Sequence, residues 1–204
     1  MLLAIDTSTG TSVAVVDRSG VRAVRTSADT RGHAEVIGAF IRDALAEAGA
    51  SPAELEAVAV GMGPGPFTGL RVGIAAARSF ALGIGRPVVP VVSHDAVAFG
   101  NADAVLVVTD ARRRELAWSR YAAPASDGLP VRIEGPALAP AAALAETVPH
   151  YAAHRRIDAA TVDAGALGRL ALALHDAGAP LGPAEPVYLR APDVTLSTPK
   201  RVTA

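Results

Sequence analysis

The residues with the most chemical promise stand near the start of the chain. Asp6-Thr7-Ser8-Thr9-Gly10 is a carboxylate followed by three hydroxyls and a glycine. Such a carboxylate could hold magnesium through water, while hydroxyls and backbone N–H groups cradle phosphate oxygens. The same residue types are the usual choices for a hairpin turn, and that plainer reading is preferred. A second candidate is Gly61-Met62-Gly63-Pro64-Gly65-Pro66-Phe67-Thr68-Gly69, ahead of a helical stretch. Free N–H groups at a helix start favour anions. Pro64 and Pro66 each remove an N–H and stiffen the chain, so the run reads as a rigid turn that aims the helix, with Phe67 packed beneath it.

Other chemistries find little support. Cysteine is absent, which removes disulfides, thiolate nucleophiles and Cys-ligated zinc together. Lys200 is the only lysine, which leaves no P-loop or Schiff-base candidate in the body of the chain. His150 and His154 have i, i+4 spacing and would share a helix face as metal ligands can. Pro149 precedes them, no acidic third ligand is near, and Arg155 and Arg156 follow. Arg112, Arg113, Arg114 and Arg120 form a basic cluster that could touch RNA phosphate, though a solvated turn is the simpler reading. Trp118 alternates with Leu116 and Arg120 and reads as core or partner packing.

The elements that must position these residues follow from periodicity. Leu2 to Ile5, Ser12 to Val16 and Val21 to Thr26 are short apolar runs separated by turn formers, an antiparallel meander. His33 to Ala48 changes to a helical period through Val36, Ile37, Phe40, Ile41, Ala44, Leu45 and Ala48, and Gly49 stops it. Ser51-Pro52-Ala53-Glu54 has capping-box spacing. Ala57 to Val60 is a buried strand, Thr68 to Leu82 a helix rich in Gly and Ala, and Val88 to Val92 another strand. Beyond Gly100-Asn101 the pattern restarts. Strands are expected at Val105 to Thr109, Leu116 to Tyr121 and Val131 to Ile133, and helices at Ala141 to Thr147 and Ala164 to Ala177. Two α/β lobes result, over 1–102 and 103–190, with a tail over 191–204.

Half of the 204 residues are apolar and the formal net charge is -1. No whole-protein field attracts nucleic acid, so RNA contact would need a local patch or a partner. The N-terminus lacks a basic n-region and a long apolar core, and no stretch is long enough for a membrane span, so the cytoplasm is the expected compartment.

Three stretches, in order, resemble the TsaB (YeaZ) family: Ala4-Ile5-Asp6-Thr7-Ser8-Thr9; Gly61 through Ile74; and Asp110-Ala111-Arg112 together with Glu185-Pro186-Val187-Tyr188-Leu189-Arg190. His33 fits as well. The resemblance is dense to about residue 121 and thin from there to about 184. It implies an actin-like (ASKHA, ribonuclease H-like) α/β fold of two lobes and a subunit without chemistry of its own. Its partner would be the threonylcarbamoyl transferase TsaD, joined by TsaE, in attaching threonylcarbamoyl to adenosine 37 of tRNA. ATP and threonylcarbamoyl-AMP would serve the complex and a metal would sit on TsaD, with no cofactor on this chain.

Periodicity leaves open whether the two first-lobe helices are self-contained or carry a partner. The resemblance implies an interface over Val36, Ile37, Phe40, Leu70, Val72, Gly73, Ala76, Ala77 and Phe80; an exposed apolar helix face would also favour a homodimer when the chain is alone. The resemblance also makes Asp6, Thr7, Ser8 and Thr9 a vestigial phosphate loop. One departure stands out: Val148 to Arg156 lacks the glycines of the family's strand-and-turn, so the second lobe is expected to be shortened by at least one element. The rival readings are a small actin-like ATPase or phosphotransferase using Asp6, and a tRNA-binding module led by Arg112 to Arg114. Asp6→Ala would separate enzyme from scaffold.

Overall fold

The computed structural model describes residues 1–190; the expected tail over 191–204 lies outside the described residues. The opening meander is β1 (Leu2–Asp6), β2 (Thr11–Asp17) and β3 (Gly20–Ser27), paired antiparallel. Next come α1 (His33–Ala48), β4 (Ala57–Gly61), α2 (Phe67–Gly83) and β5 (Val88–Val91). β4 lies parallel to β1 and β5 parallel to β4, giving a five-stranded sheet of order β3-β2-β1-β4-β5. Successive side chains of a strand point to opposite faces, and β1 shows the consequence. Leu3 and Ile5 join the core beneath α1 and α2, while Leu2 and Ala4 join the core on the other face. That is why β1 carries no polar residue until Asp6.

α1 ends where expected: Gly49 takes a left-handed φ of 62°, which a glycine adopts without strain. Ser51 and Glu54 form the anticipated capping box around a single 3-10 turn.

The second sheet contains β6 (Val105–Asp110), β7 (Glu115–Ala122), β8 (Val131–Pro140) and β9 (Arg155–Asp158), in the order β8-β7-β6-β9. β8 runs seven residues past the expected Ile133. Gly135-Pro136 hid its continuation, and an edge strand tolerates such a pair. At the stretch without the family's glycines a short strand is nevertheless present, since β9 pairs parallel to β6. It escaped notice because Ile157 is its only apolar side chain.

Three shorter or displaced elements complete the fold. α3 (Ser93–Ala98) was not anticipated, since six residues are too few to show a helical period. The Ala141–Thr147 stretch is a 3-10 turn followed by the four-residue α4 (Leu144–Thr147). α5 (Ala164–Asp176) follows the second sheet in sequence but packs on the first, its Leu167, Leu170 and Ala171 meeting Leu2, Ala4, Ala14 and Val16. Gly168 permits this approach, since a Cβ there would lie 2.6 Å from Val16 Cγ2. Among the described residues, no helix is long and apolar enough to cross a membrane.

Candidate functional site

β1 delivers Asp6 to a buried junction rather than to a ligand-binding opening. Its side chain is 1% exposed. Oδ1 accepts hydrogen bonds from Ser8 N–H (2.7 Å) and the Ser8 hydroxyl (2.6 Å), and Oδ2 accepts one from the Ser93 hydroxyl (2.6 Å). Burial pushes the carboxyl's pKa above the usual carboxylate value, and the three hydrogen bonds pull against that rise. The Thr7 hydroxyl donates to Gly69 O (2.7 Å) and accepts from Gly73 N–H (3.0 Å). Residues 69 and 73 are the i, i+4 pair that a helix normally bonds to each other, so Thr7 is spliced into the ladder of α2.

The glycines of the 61–73 run make this junction possible. A Cβ on Gly61 would lie 1.8 Å from Asp6 Oδ2, on Gly65 2.4 Å from Ser8 O, and on Gly73 2.2 Å from Thr7 Oγ1. Each is far inside contact distance, so backbone must meet the β1–β2 turn directly. Thr9 is buried as well, and its hydroxyl has no hydrogen-bond partner among the described residues. The candidate phosphate loop, Asp6 to Thr9, is thus sealed beneath the glycine-rich run.

An open cleft lies next to this junction. It has a volume of about 660 Å³ and is lined by Arg31, His33 and the Pro64–Gly69 stretch on one side. Asp110 to Arg113 and Leu138 line the other, with Tyr188 to Arg190 across it; none of Asp6 to Thr9 is in its wall. His33 is held by Thr11 Oγ1 at 2.8 Å from Nδ1, and burial lowers its imidazole pKa. Phe67 does not sit beneath its turn: its ring meets that of Tyr188 at 4.9 Å, and the Arg71 guanidinium covers its face at 3.8 Å. Periodicity could not find this cleft, because its walls come from the ends of separate elements and the loops between them; the quoted motif positions His33, Pro64–Gly69, Asp110–Arg112 and Tyr188–Arg190 marked it.

The basic cluster divides. Arg112, Arg113 and Arg114 form an exposed turn in which all three have positive φ. Arg120 does not join them. It is 9% exposed on β7 and donates to Glu134 on β8 at 2.6 and 3.0 Å. It lies near the far end of β7, opposite Leu106 of β6, and so is carried away from the turn at the hairpin tip. His150 and His154 do not share a helix face, since His150 is left-handed ahead of a 3-10 turn and His154 follows it in extended backbone. Among the described residues, no three His, Asp or Glu side chains are grouped to hold a metal. Trp118 is 3% exposed in the core of the second sheet.

The nine helix residues proposed for an interface fall into two sets. Ile37, Leu70, Gly73 and Ala77 are buried in the chain's own core, turned toward the sheet, and have no surface to give. Val36, Phe40, Val72, Ala76 and Phe80 are half-buried. Beyond them, α2 presents an exposed row of Thr68, Arg71, Ala75, Arg78, Ser79 and Leu82, with Leu82 83% exposed. Periodicity had grouped these helices' small residues by type, without separating the face that meets Thr7 from the face that meets solvent.

The family model described as TsaD, tRNA N6-adenosine threonylcarbamoyltransferase, matches residues 23–129. An uncharacterized protein of Mycobacterium tuberculosis is 40% identical over 203 residues, covering 94% of this chain and 92% of that one. The tRNA threonylcarbamoyladenosine biosynthesis protein TsaB of Escherichia coli is 34% identical over 125 residues, 59% of this chain and 54% of that protein. The chain therefore matches about half the length of that relative. The solved structure of YeaZ from Pseudomonas aeruginosa superposes with a TM-score of 0.74 at 27% identity, covering 92% of this chain and 99% of that one.

Proposed function

The chain belongs to the TsaB (YeaZ) family, and from that premise we propose that it is a non-catalytic subunit of tRNA N6-threonylcarbamoyladenosine synthesis that binds and activates TsaD. The fold is of the actin-like ATPase type. The observation that carries the proposal is the contrast on α2. Its inner face is filled by Thr7 and the sheet, while its outer row ends in a leucine left 83% exposed. Beside that row, Val36, Phe40, Val72, Ala76 and Phe80 keep apolar surface partly open. A helix of TsaD packed along α1 and α2 would cover both. Water-exposed leucine at a helix end gains by such burial, at about 25 cal/mol per Å² removed from water.

Chemistry then belongs to the assembly. ATP, threonylcarbamoyl-AMP and a metal would be handled with TsaD and TsaE in the cytoplasm, and tRNA would be met through the complex. The rival ATPase reading needs Asp6 to reach a nucleotide, yet its carboxylate oxygens are already engaged by Ser8 and Ser93. Asp6→Ala is a poor probe of that rival, because it leaves buried donors unpaired. Asp6→Asn keeps the shape and removes the charge. The test is mixing this chain with TsaD and reading the complex by size-exclusion chromatography. Asp6→Asn should bind like the parent, and Ala75→Arg with Leu82→Arg should not. Nucleotide turnover by the isolated chain, lost in Asp6→Asn, would favour the rival.

A further inference from the structure

The two sheets are joined by two kinds of contact. One is dry. α3 begins at Ser93, which is bonded to Asp6 and to Gly63, and His94 follows fully buried. Its Nδ1 meets Ser119 Oγ at 2.8 Å and its Nε2 meets Thr109 Oγ1 at 2.9 Å, both on the second sheet. Beside it Asp95 accepts from the Tyr121 hydroxyl at 2.7 Å. Both ring nitrogens of His94 are bonded inside protein, which makes this hub stiff.

The other contact runs over the surface. Residues 182–190 leave α5 and cross the first lobe on single bonds: Gly182 N–H to Pro90 O (2.9 Å) and Val187 N–H to Met62 O (2.8 Å). Two arginines of α2's outer row hold the same stretch. Arg78 donates to Ala184 O (2.8 Å), and Arg71 Nε donates to the Tyr188 hydroxyl (3.1 Å) while its guanidinium lies over Phe67. The far end is tied to the second lobe, where Arg190 donates to Ala111 O (3.1 Å) and pairs with Glu115. The end of the stretch, Tyr188 to Arg190, therefore lines the cleft between the two lobes, and the stretch has few bonds, most of them at exposed or half-buried groups.

We infer that residues 184–190 are a latch between the outer row of α2 and the 110–115 hairpin, released when a protein docks on that row. Arg71 and Arg78 serve both sides of the device. They are exposed members of the face proposed above to receive TsaD, and their guanidinium groups, together with the Phe67 ring against Tyr188, keep the latch on α2. A helix laid along this row must re-pair or desolvate them, and the bonds to Tyr188 and Ala184 compete with that demand. Release leaves the hub at His94 as the stiff link, and the lobes part at the cleft.

The inference rests on TsaD docking, so the experiment reads the two separately. The chain has no cysteine, which allows spin labels at Thr30→Cys and Ala141→Cys, exposed positions on the first and second lobes. Their distance distribution is measured by double electron–electron resonance in the free chain, in Tyr188→Ala, in the milder Tyr188→Phe, and after saturation with TsaD. The latch predicts a longer mean and broader distribution in Tyr188→Ala, a smaller change in the same direction in Tyr188→Phe, and lengthening of the parent on adding TsaD. Should Tyr188→Ala fail to fold, Arg78→Met takes its place, losing only the bond to Ala184. A one-to-one TsaD complex whose distance is unchanged or shortened would overturn the coupling, and unchanged distances in the folded variants would overturn the latch. If no complex forms, the docking reading and the coupling fall together, while the variants still read the latch.

Discussion

The two faces of α2 obey opposite rules. On the inner face, Gly69 and Gly73 meet the β1–β2 turn so closely that a methyl group would collide with Thr7. On the outer face, Ala75, Ser79 and Leu82 stand in solvent, and a Cβ on Gly83 would meet nothing within 4 Å. The same small residue types therefore do different things on the two sides. Inside, smallness admits a neighbouring backbone of the same chain; outside, it leaves the helix surface open to solvent. Composition alone cannot tell these apart, and only the placement of Thr7 separates them.

The contrast is broken most forcefully from inside. Gly73→Val should destabilise the chain by more than about 3 kcal/mol, since the Thr7 hydroxyl has no space into which to retreat. A chemical-denaturation midpoint close to the parent's would mean that the junction is loose and that the glycine serves another purpose.

A second test concerns the hub that anchors the other end of the same junction. Burial holds the His94 imidazole neutral, with its pKa lowered to about 3. A base whose folded pKa lies below its unfolded value contributes stability that is full above about 6.5 and lost as pH falls toward the folded value. The loss across that window is on the order of 4 kcal/mol, since the unfolded chain takes up a proton that the folded one refuses. The NMR signal of the His94 ring should stay flat from pH 8 to pH 4.5 in the folded protein. A midpoint near 6 would show an imidazole in contact with water and a softer hub.

The smallest expected effect sharpens the outer side. Gly38 is exposed in the interior of α1, and a Cβ there would meet nothing within 4 Å. Gly38→Ala should stabilise the isolated chain by about 1 kcal/mol through helix propensity alone. If TsaD packs closely over that position, the same methyl should weaken the complex, visible as a raised Kd by titration calorimetry. A stabilised variant with unaltered affinity would place the docked helix elsewhere on α1 or α2.

Much of this architecture was legible in the sequence, for reasons particular residues make plain. The apolar run of Leu2 to Ile5, the seven-residue apolar series of Val36 to Ala48 and the stop at Gly49 are local signals, and β1 and α1 lie where they put them. α3 and β9 were not legible, because six residues show no period and Arg155-Arg156-Ile157-Asp158 has no apolar run. The packing of α5 on the first sheet is a long-range fact: its apolar face would fit either lobe. At the site, the Asp6 turn and the Gly61–Gly73 run were marked by residue type, but their mutual contact was not. Nothing local says that Gly61 is small because Asp6 lies against it. The same limit put Ile37, Leu70, Gly73 and Ala77 among candidate interface residues that the chain buries for itself.

The most direct test of the account is the affinity of this chain for TsaD, measured with the parent and with Ala75→Arg plus Leu82→Arg, both solvent-facing on α2. Circular dichroism and the denaturation midpoint establish that the variant is folded. The account predicts a one-to-one complex for the parent and a loss of affinity of at least about 100-fold, near 2.7 kcal/mol, for the folded variant. A folded variant that binds TsaD as the parent does, or a parent that does not bind it, would contradict the account.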